Sequence, residues 1–190
     1  GHTGIPGSRR SALQDAALSP TTLTHRKSLM EKLLPLAEKI AASLIARKET
    51  IAVAESSTGG LISAALLAVP GASAYYRGGG VIYTPRARAA LVNITKEEME
   101  ALGNRGATEP YAMLLANRAS ELLNTTWGLS ETGASGPSGN RYGDAAGHSC
   151  IAIAGPRPRV ITLETGDSDR VANMRAFSLR ALELFAETIG

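Results

Sequence analysis

The residues best suited to chemistry lie where a short apolar segment, residues 50–54, runs into the sequence AESSTGG at positions 54–60. Hydroxyl side chains can attack or hydrogen-bond a substrate, and glycines permit a sharp turn in which backbone N–H groups gather at a helix start. A turn of this kind can bind an anion or the oxyanion of an acyl-transfer reaction. We therefore expect a binding site that includes Glu55, Ser56, Thr58, Gly59 and Gly60, with Glu55 organising the neighbouring donors.

Two later blocks have a similar composition. One reads PGASAYY at positions 70–76, and the other reads GASGPSG at positions 133–139. Each block alone fits an ordinary turn, because serine and glycine are common wherever the chain reverses direction. Ser73 taken alone is more often a turn residue or a helix cap than a nucleophile. The blocks therefore indicate a functional site only when they are considered together.

Taken together, the three blocks resemble the CinA C-terminal domain family, whose enzymatic members are nicotinamide mononucleotide (NMN) amidohydrolases. Their order and spacing match the family from about Leu36 to about Leu184. The resemblance implies that Ser73 attacks the carboxamide, that Tyr83 orients or relays the proton, and that neither a cofactor nor a metal takes part. It also implies a set of residues that bind the nucleotide: Glu55, Ser56, Thr58, Gly59, Gly60, Thr108, Gly133, Ser135, Gly136 and Gly139.

Arg88 departs from the family pattern. The resemblance places the general base of a serine–lysine dyad at this position, five residues after Tyr83. A buried lysine can accept the proton of a serine because its pKa falls readily, whereas arginine stays protonated in proteins. Arg88 is therefore expected to act as an electrostatic anchor for the serine or for the nucleotide phosphate.

A second departure lies near the C-terminus. Where the family usually reads GDRxxVR, this chain reads GDSDRVA at positions 166–172. Both arginines of the family pattern are missing, but Arg170 and Arg175 are close by in the sequence. We expect Arg170 to contribute to substrate binding in their place.

Three functions remain open from these residues. The first is hydrolysis of NMN to nicotinic acid mononucleotide and ammonia, weakened by the loss of the lysine. The second is a non-catalytic homologue that binds a nucleotide-like ligand. The third is hydrolysis of another amide or ester, with Glu55 or Tyr83 as the base.

Composition limits the class of protein. The 190 residues are 44% hydrophobic and carry a net charge of +3 without a dense basic cluster, so a small anion is a better expected partner than nucleic acid. The single cysteine, Cys150, favours a reducing compartment, and we expect a cytoplasmic protein. No apolar run reaches the roughly 18 to 20 residues of a membrane span, so no membrane association is expected. His25 and His148 lack partners at metal-ligand spacing.

Apolar periodicity and capping signals predict helices that alternate with strands. Ser57 or Thr58 is expected to cap the helix that runs through Ala68, Pro85 to open the helix at residues 86–91, and residues 95–98 to cap the next helix. Residues 51–54, 81–83, 127–132, 150–154 and 160–163 are predicted strands. This alternation, with one hairpin, predicts an α/β fold: a three-layer α/β/α sandwich with a mixed, mostly parallel sheet. Residues 1–24, rich in small and polar residues, are expected to form a flexible N-terminal arm, and residues 25–190 a CinA C-terminal-like domain.

The paired tyrosines Tyr75 and Tyr76 predict self-association. They precede three glycines at 78–80 in what should be an exposed connection, and tyrosines are enriched at protein interfaces. We expect a homodimer or a higher homo-oligomer, with this segment near the contact and the arm at residues 8–24 on a neighbouring subunit.

Overall fold

The structure, a computed structural model, describes residues 30–190. The predicted arm and His25 therefore lie outside the described residues. Helices and strands follow one another in this order: α1 (Leu33–Arg47), β1 (Ile51–Glu55), α2 (Leu61–Leu67), a short 3₁₀ helix (Ala72–Ala74), β2 (Tyr76–Val81), α3 (Pro85–Val92), α4 (Lys96–Ala101), α5 (Glu109–Leu123), β3 (Trp127–Ala134), β4 (His148–Ala154), β5 (Arg159–Glu164) and α6 (Arg170–Ile189).

The strands form one five-stranded sheet in the order β2-β1-β3-β4-β5. Strand β1 pairs in parallel with both β2 and β3, whereas β4 is antiparallel to both β3 and β5. Only β4 therefore runs against the other strands. The prediction of a mixed, mostly parallel sheet is confirmed.

Helices cover both faces of the sheet, because successive side chains of a strand point to opposite sides. In β1, Ile51 and Val53 pack in the core beneath α1, α2 and α6. Ala52 and Ala54 pack on the other face, in a core formed with α3, α4 and α5. This arrangement confirms the predicted three-layer sandwich. Among residues 30–190, no helix is both long enough and apolar enough to cross a bilayer.

The parallel strands place the polar blocks along one edge of the sheet. Strands β1, β2 and β3 run in the same direction, so the segments that follow them emerge side by side. The 56–60 turn follows β1, Tyr83 comes shortly after β2, and the glycine-rich loop 133–139 begins at the end of β3. The carboxyl ends of parallel strands are the usual ligand-binding edge of an open α/β sheet.

Two boundaries differ from the predicted ones. Strand β2 includes the three glycines, and Tyr83 lies beyond its end instead of within it. Glycine is required here because a Cβ on Gly79 would lie 2.0 Å from the carbonyl oxygen of Val53 on β1. Helix α2 begins at Leu61 after Gly60, so neither Ser57 nor Thr58 is its cap.

Tyr75 is fully buried, and the expectation of two exposed tyrosines is wrong for this residue. Its ring fills the core under α2, and its hydroxyl donates a hydrogen bond to the carbonyl oxygen of Leu66. Tyr76 is half-buried against the same core. A large ring with a satisfied hydroxyl is more stable inside than exposed to water. Self-association itself remains a prediction.

Candidate active site

Two adjoining cavities open at the edge of the sheet where β1, β2 and β3 end. The Arg88 cavity, of about 280 Å³, is lined by Ser56, Ile82, Tyr83, Pro85, Arg88, Gly106, Ala107, Tyr111, Thr132, Gly133, Asn140, Arg141 and Tyr142. The Ser57 cavity, of about 220 Å³, is lined by Ser57, Tyr83, Gly133, Ala134, Ser135, Gly136, Ser138, Gly139, Asn140 and Arg170. Three residues line both cavities, which therefore form one cleft.

Most of the predicted site residues meet in this cleft. Ser56 and Arg88 line the Arg88 cavity. The Ser57 cavity is lined by Ser135, Gly136, Gly139 and Arg170. Tyr83 and Gly133 line both cavities. Glu55, Thr58, Gly59, Gly60 and Thr108 line neither cavity.

Ser73 lies away from the cleft. It is exposed in the 3₁₀ helix that precedes β2, and its carbonyl oxygen accepts a hydrogen bond from Arg77. Tyr83 follows the opposite end of the same strand. Because an extended strand rises about 3.3 Å per residue, the six residues of β2 separate Ser73 from Tyr83 by far more than a hydrogen bond. The structure thus does not bring Ser73 together with Tyr83 and Arg88.

Glu55 organises the turn that follows β1. Its fully buried carboxylate accepts hydrogen bonds from the backbone N–H groups of Gly60 at 3.2 Å, Ile62 at 3.0 Å and Ser63 at 2.9 Å. It therefore supplies the hydrogen-bond acceptor that the first backbone N–H groups of α2 lack within the helix. Gly59 and Gly60 have φ angles of +64° and +100°, which explains why glycines form this turn. Among residues 30–190, Glu55 makes no hydrogen bond to a side chain that lines the cleft, so it has no nucleophile there to activate.

Glu131 is a second buried carboxylate that the sequence analysis did not single out. Its Oε2 accepts hydrogen bonds from the backbone N–H groups of Ser56 at 3.2 Å and Thr58 at 3.0 Å. Its Oε1 accepts hydrogen bonds from the hydroxyls of Ser57 and, at 2.9 Å, of Ser149. Complete burial raises the pKa of Glu131 above its ordinary value, although these hydrogen bonds oppose the shift. Glu131 thus joins β3 to the turn after β1.

A sequence signal for Glu131 was present. It is a charged residue in the middle of the otherwise apolar and small-residue strand Trp127–Ala134, directly before the glycine-rich block. Glutamate is almost never fully buried unless it is paired. Its partners could not be identified because they lie about 75 residues away in the sequence.

Arg88 is oriented by an aromatic ring. Its Nε donates a hydrogen bond to the hydroxyl of Tyr111 at 2.9 Å, and its guanidinium carbon lies 4.7 Å from the centroid of that ring. Within residues 30–190, Arg88 forms no ion pair with a carboxylate. Its positive charge is therefore available to an anionic ligand. Thr108 supports this arrangement, because its hydroxyl caps α5 by accepting a hydrogen bond from the N–H of Tyr111 at 3.2 Å.

Arg170 joins the two sides of the Ser57 cavity. One guanidinium nitrogen donates to the carbonyl oxygen of Gly136 at 2.5 Å, and the other donates to the hydroxyl of Tyr83 at 3.3 Å. Asn173, which is fully buried on the same helix, donates to the carbonyl oxygen of Ser135 at 2.8 Å. The start of α6 therefore fixes the glycine-rich loop and positions Tyr83.

Ser135 lines the Ser57 cavity, but its hydroxyl oxygen is buried. This Oγ has no hydrogen-bond partner within residues 30–190. Leaving a buried hydroxyl unpaired costs about 1 to 3 kcal/mol.

His148 holds the loop on the far side of the Arg88 cavity. Its Nε2 lies 2.7 Å from the carbonyl oxygen of Ala107, and its Nδ1 contacts the carboxylate of Glu164. Burial disfavours the charged ring, but the hydrogen bonds to Glu164 and Ala107 and the nearby Asp144 outweigh it and raise the pKa of His148. The histidine is thus engaged in structure. Among residues 30–190, no group of three or more His, Cys, Asp or Glu side chains could hold a metal ion.

Comparisons with known proteins agree with this fold. The sequence profile of the CinA C-terminal domain matches residues 33–189, and the chain belongs to that family. CinA-like proteins of Gloeobacter violaceus and Desulforapulum autotrophicum are 38% identical over 132 residues and 32% identical over 178 residues, respectively. These matches cover 69% and 93% of this chain but only 30% and 41% of the two relatives, so the chain spans less than half of their length.

The fold also matches a solved structure. The crystal structure of a competence-damaged protein (CinA) superfamily protein from Klebsiella pneumoniae superposes with a TM-score of 0.76 at 23% identity. The match covers 83% of this chain and 97% of that protein. At this level of identity, the comparison shows the shared fold alone.

Proposed function

We propose that the cleft binds NMN and hydrolyses its carboxamide to give nicotinic acid mononucleotide and ammonia. The observation that carries this proposal is a single cleft with a free cation, Arg88, in one cavity and serine hydroxyls in the adjoining one. Family membership supports the proposal, because the enzymatic members of the resembled family act on NMN. A negatively charged nucleotide with an uncharged amide needs both features.

The two cavities suit the two ends of such a ligand. The phosphate would bind in the Arg88 cavity, where Arg88 has no competing carboxylate among residues 30–190 and Arg141 adds a second cation. The carboxamide would enter the Ser57 cavity, which the serines Ser57, Ser135 and Ser138 line. Tyr83 lines both cavities, in a position to contact the ligand between its two ends.

A second candidate is a non-catalytic protein that binds the same nucleotide. The identity of Arg88 favours it, because arginine stays protonated and its Nε is already committed to Tyr111. In this alternative the cleft keeps its affinity for the ligand, and no group turns it over.

One experiment distinguishes NMN hydrolysis from NMN binding without hydrolysis. The purified chain is incubated with NMN while ammonia and nicotinic acid mononucleotide are quantified, and the shift in Tm with NMN is measured in parallel. Product above the buffer blank supports hydrolysis, and a Tm shift without product supports the binding protein. Absence of both rejects the assignment of NMN.

Nicotinamide riboside, which lacks the phosphate, is the control ligand and should give a smaller Tm shift. Arg88→Ala should abolish most of the difference between the two ligands. Arg86→Ala, which removes an exposed arginine of the same helix outside the cleft, should keep it.

The proposal includes a reducing, cytoplasmic setting. It rests on the single cysteine, Cys150, which is a buried free thiol.

A further inference from the structure

Ser57 and Glu131 form a hydrogen-bonded hydroxyl–carboxylate pair at the wall of the cleft. Ser57 lines the cavity that bears its name, and its Oγ donates to Oε1 of Glu131. The carboxylate lies behind it, fully buried, and the hydroxyl of Ser149 contacts the same oxygen at 2.9 Å. A nucleophile facing a cavity, a base behind it and a third group that orients the base are the parts of an activated serine.

We propose that Ser57 is the nucleophile of this cleft and that Glu131 is its general base. This pair supplies the proton acceptor that Arg88 cannot provide, and it rests on the proposed hydrolytic function. Ser149 acts as a positioning residue for Glu131.

The reaction balances with these groups and one water molecule. The Oγ of Ser57 bonds to the carboxamide carbon while its proton passes to Glu131, and the tetrahedral intermediate then breaks its C–N bond. A water molecule in the cleft gives a proton to the leaving nitrogen, so that ammonia departs and an ester to Ser57 remains. The resulting hydroxide attacks the ester carbon. As the C–O bond breaks, Glu131, which contacts the Oγ of Ser57, returns its proton to that oxygen, and the acid is released.

The surroundings favour Glu131 as a base. Burial raises the pKa of its carboxyl group, so it holds a proton more strongly than an exposed carboxylate does. Among residues 30–190, the backbone N–H of Ser57 has no hydrogen-bond acceptor, which leaves it available to an oxyanion.

Other serines lack this combination. Within the described part of the chain, the hydroxyl of Ser56 contacts no carboxylate or imidazole, although its N–H binds Glu131. Ser135 has no partner that could accept its proton. Ser73 is exposed outside the cleft.

The test uses a serine-reactive probe, so it does not depend on the substrate. The purified chain is treated with diisopropyl fluorophosphate, and the modified serine is located by peptide mass spectrometry. The expected adduct is on Ser57. Its rate of formation should fall by about 10² to 10⁴ in Glu131→Gln, the usual contribution of a general base.

Glu131→Gln is chosen because it can keep the fold. The amide oxygen can accept the N–H groups now bound to Oε2, while the amide nitrogen can donate to the oxygens of Ser57 and Ser149. The variant loses only the ability to accept a proton. Circular dichroism and Tm confirm folding, and Ser57→Ala, which should not be labelled, is the second variant.

Ser73→Ala is the matched control and should be labelled like the parent chain. An adduct on any serine other than Ser57, no adduct at all, or equal labelling of folded Glu131→Gln overturns the pair. The outcomes also test the Ser57–Glu131 pair and the assignment of NMN as substrate independently of each other. Labelling of Ser57 without NMN hydrolysis rejects only the substrate, and NMN hydrolysis that survives Ser57→Ala rejects only the pair.

Discussion

Glu55 and Glu131 share one hydroxyl donor. The Oγ1 of Thr58 lies 2.7 Å from Oε1 of Glu55 and 3.0 Å from Oε2 of Glu131. A hydroxyl has one proton, so Thr58 donates to one carboxylate at a time and can accept from the other only if that group is protonated. Burial raises the pKa of Glu131 above its ordinary value. The helix cap and the proposed base are thus linked through Thr58.

Thr58→Val should therefore destabilise the chain. The substitution keeps the shape of the side chain but removes a hydroxyl that serves two buried carboxylates. We expect the free energy of unfolding to fall by about 1 to 3 kcal/mol, the cost of leaving a buried polar group unsatisfied. Urea unfolding measures the change. Thr58→Ser, which retains the hydroxyl, is the control, and a valine variant as stable as the parent would show that the shared hydrogen bonds contribute nothing.

His148 should make stability depend on pH. Its pKa in the folded chain is raised above the ordinary value of about 6.5, because hydrogen bonds to Glu164 and Ala107 outweigh its burial. Its contribution is fully present below the unfolded pKa and is lost as pH rises through the folded pKa. Urea unfolding across about pH 5 to 9, the range of histidine titration, should show this loss.

Two variants isolate the His148 contribution. His148→Gln should remove this part of the pH dependence, and Glu164→Gln should reduce it. Asp144 and Cys150 lie close to the ring and remain in both variants, as does Glu131, whose raised pKa acts in the same direction. A difference between parent and His148→Gln that does not change with pH would contradict the assignment of a charged ring.

Gly133→Ala should disrupt the cleft. A Cβ at Gly133 would lie 2.4 Å from the carbonyl oxygen of His148 on the paired strand, and backbone atoms cannot move aside easily. We expect a loss of about 1 to 3 kcal/mol, typical of overpacking, together with loss of the Tm shift by NMN. Gly80→Ala is the matched control in β2, since its Cβ would meet only Ile82 at 3.4 Å. Equal stability of both variants would contradict the steric explanation.

Local sequence signals predicted most of the fold. Thr95 and Glu98 form the expected capping box, Pro85 lies in the first turn of its helix, and the β4–β5 hairpin forms where apolar residues flank a Gly-Pro turn. These features depend on neighbours in the chain, so they can be inferred without the fold. The start of β2 could not, because the need for glycine at position 79 arises from the approach of β1, which the local sequence does not reveal.

The location of the cleft could be predicted from the sequence better than the residues that line it. Matching blocks placed the 56–60 turn and the 133–139 loop together, and the structure brings both to one edge of the sheet. Sequence spacing could not show that Ser73 lies before β2, at the amino end of the strand, whereas the cleft lies at the carboxyl ends. It also could not show that Glu131 reaches back to the turn after β1, since that contact requires the parallel pairing of β1 with β3.

Self-association should involve the edge strand β2 and not the buried Tyr75. Next to β2, Leu91 is 58% and Leu122 is 46% exposed, and both line an apolar cavity of about 300 Å³. Within residues 30–190, β2 pairs on one side only, and exposed apolar side chains beside such a strand edge favour association with a second copy. We expect a homodimer by light scattering and a monomer for Leu91→Glu/Leu122→Glu. Leu67→Glu, at an exposed leucine outside that cavity, should remain dimeric, and a monomeric parent chain would refute the prediction.

Arg88→Lys tests whether the cleft needs a lysine base. Lysine loses the Nε hydrogen bond to Tyr111 and the stacking on its ring, so NMN should bind about tenfold more weakly. If Glu131 is the base, kcat should not rise. A rise in kcat of about 10² to 10⁴ would instead show that a lysine at this position restores general-base catalysis and would argue against Glu131. Steady-state kinetics and the NMN-induced Tm shift separate the two outcomes, with Arg86→Lys as a control at an exposed arginine of the same helix.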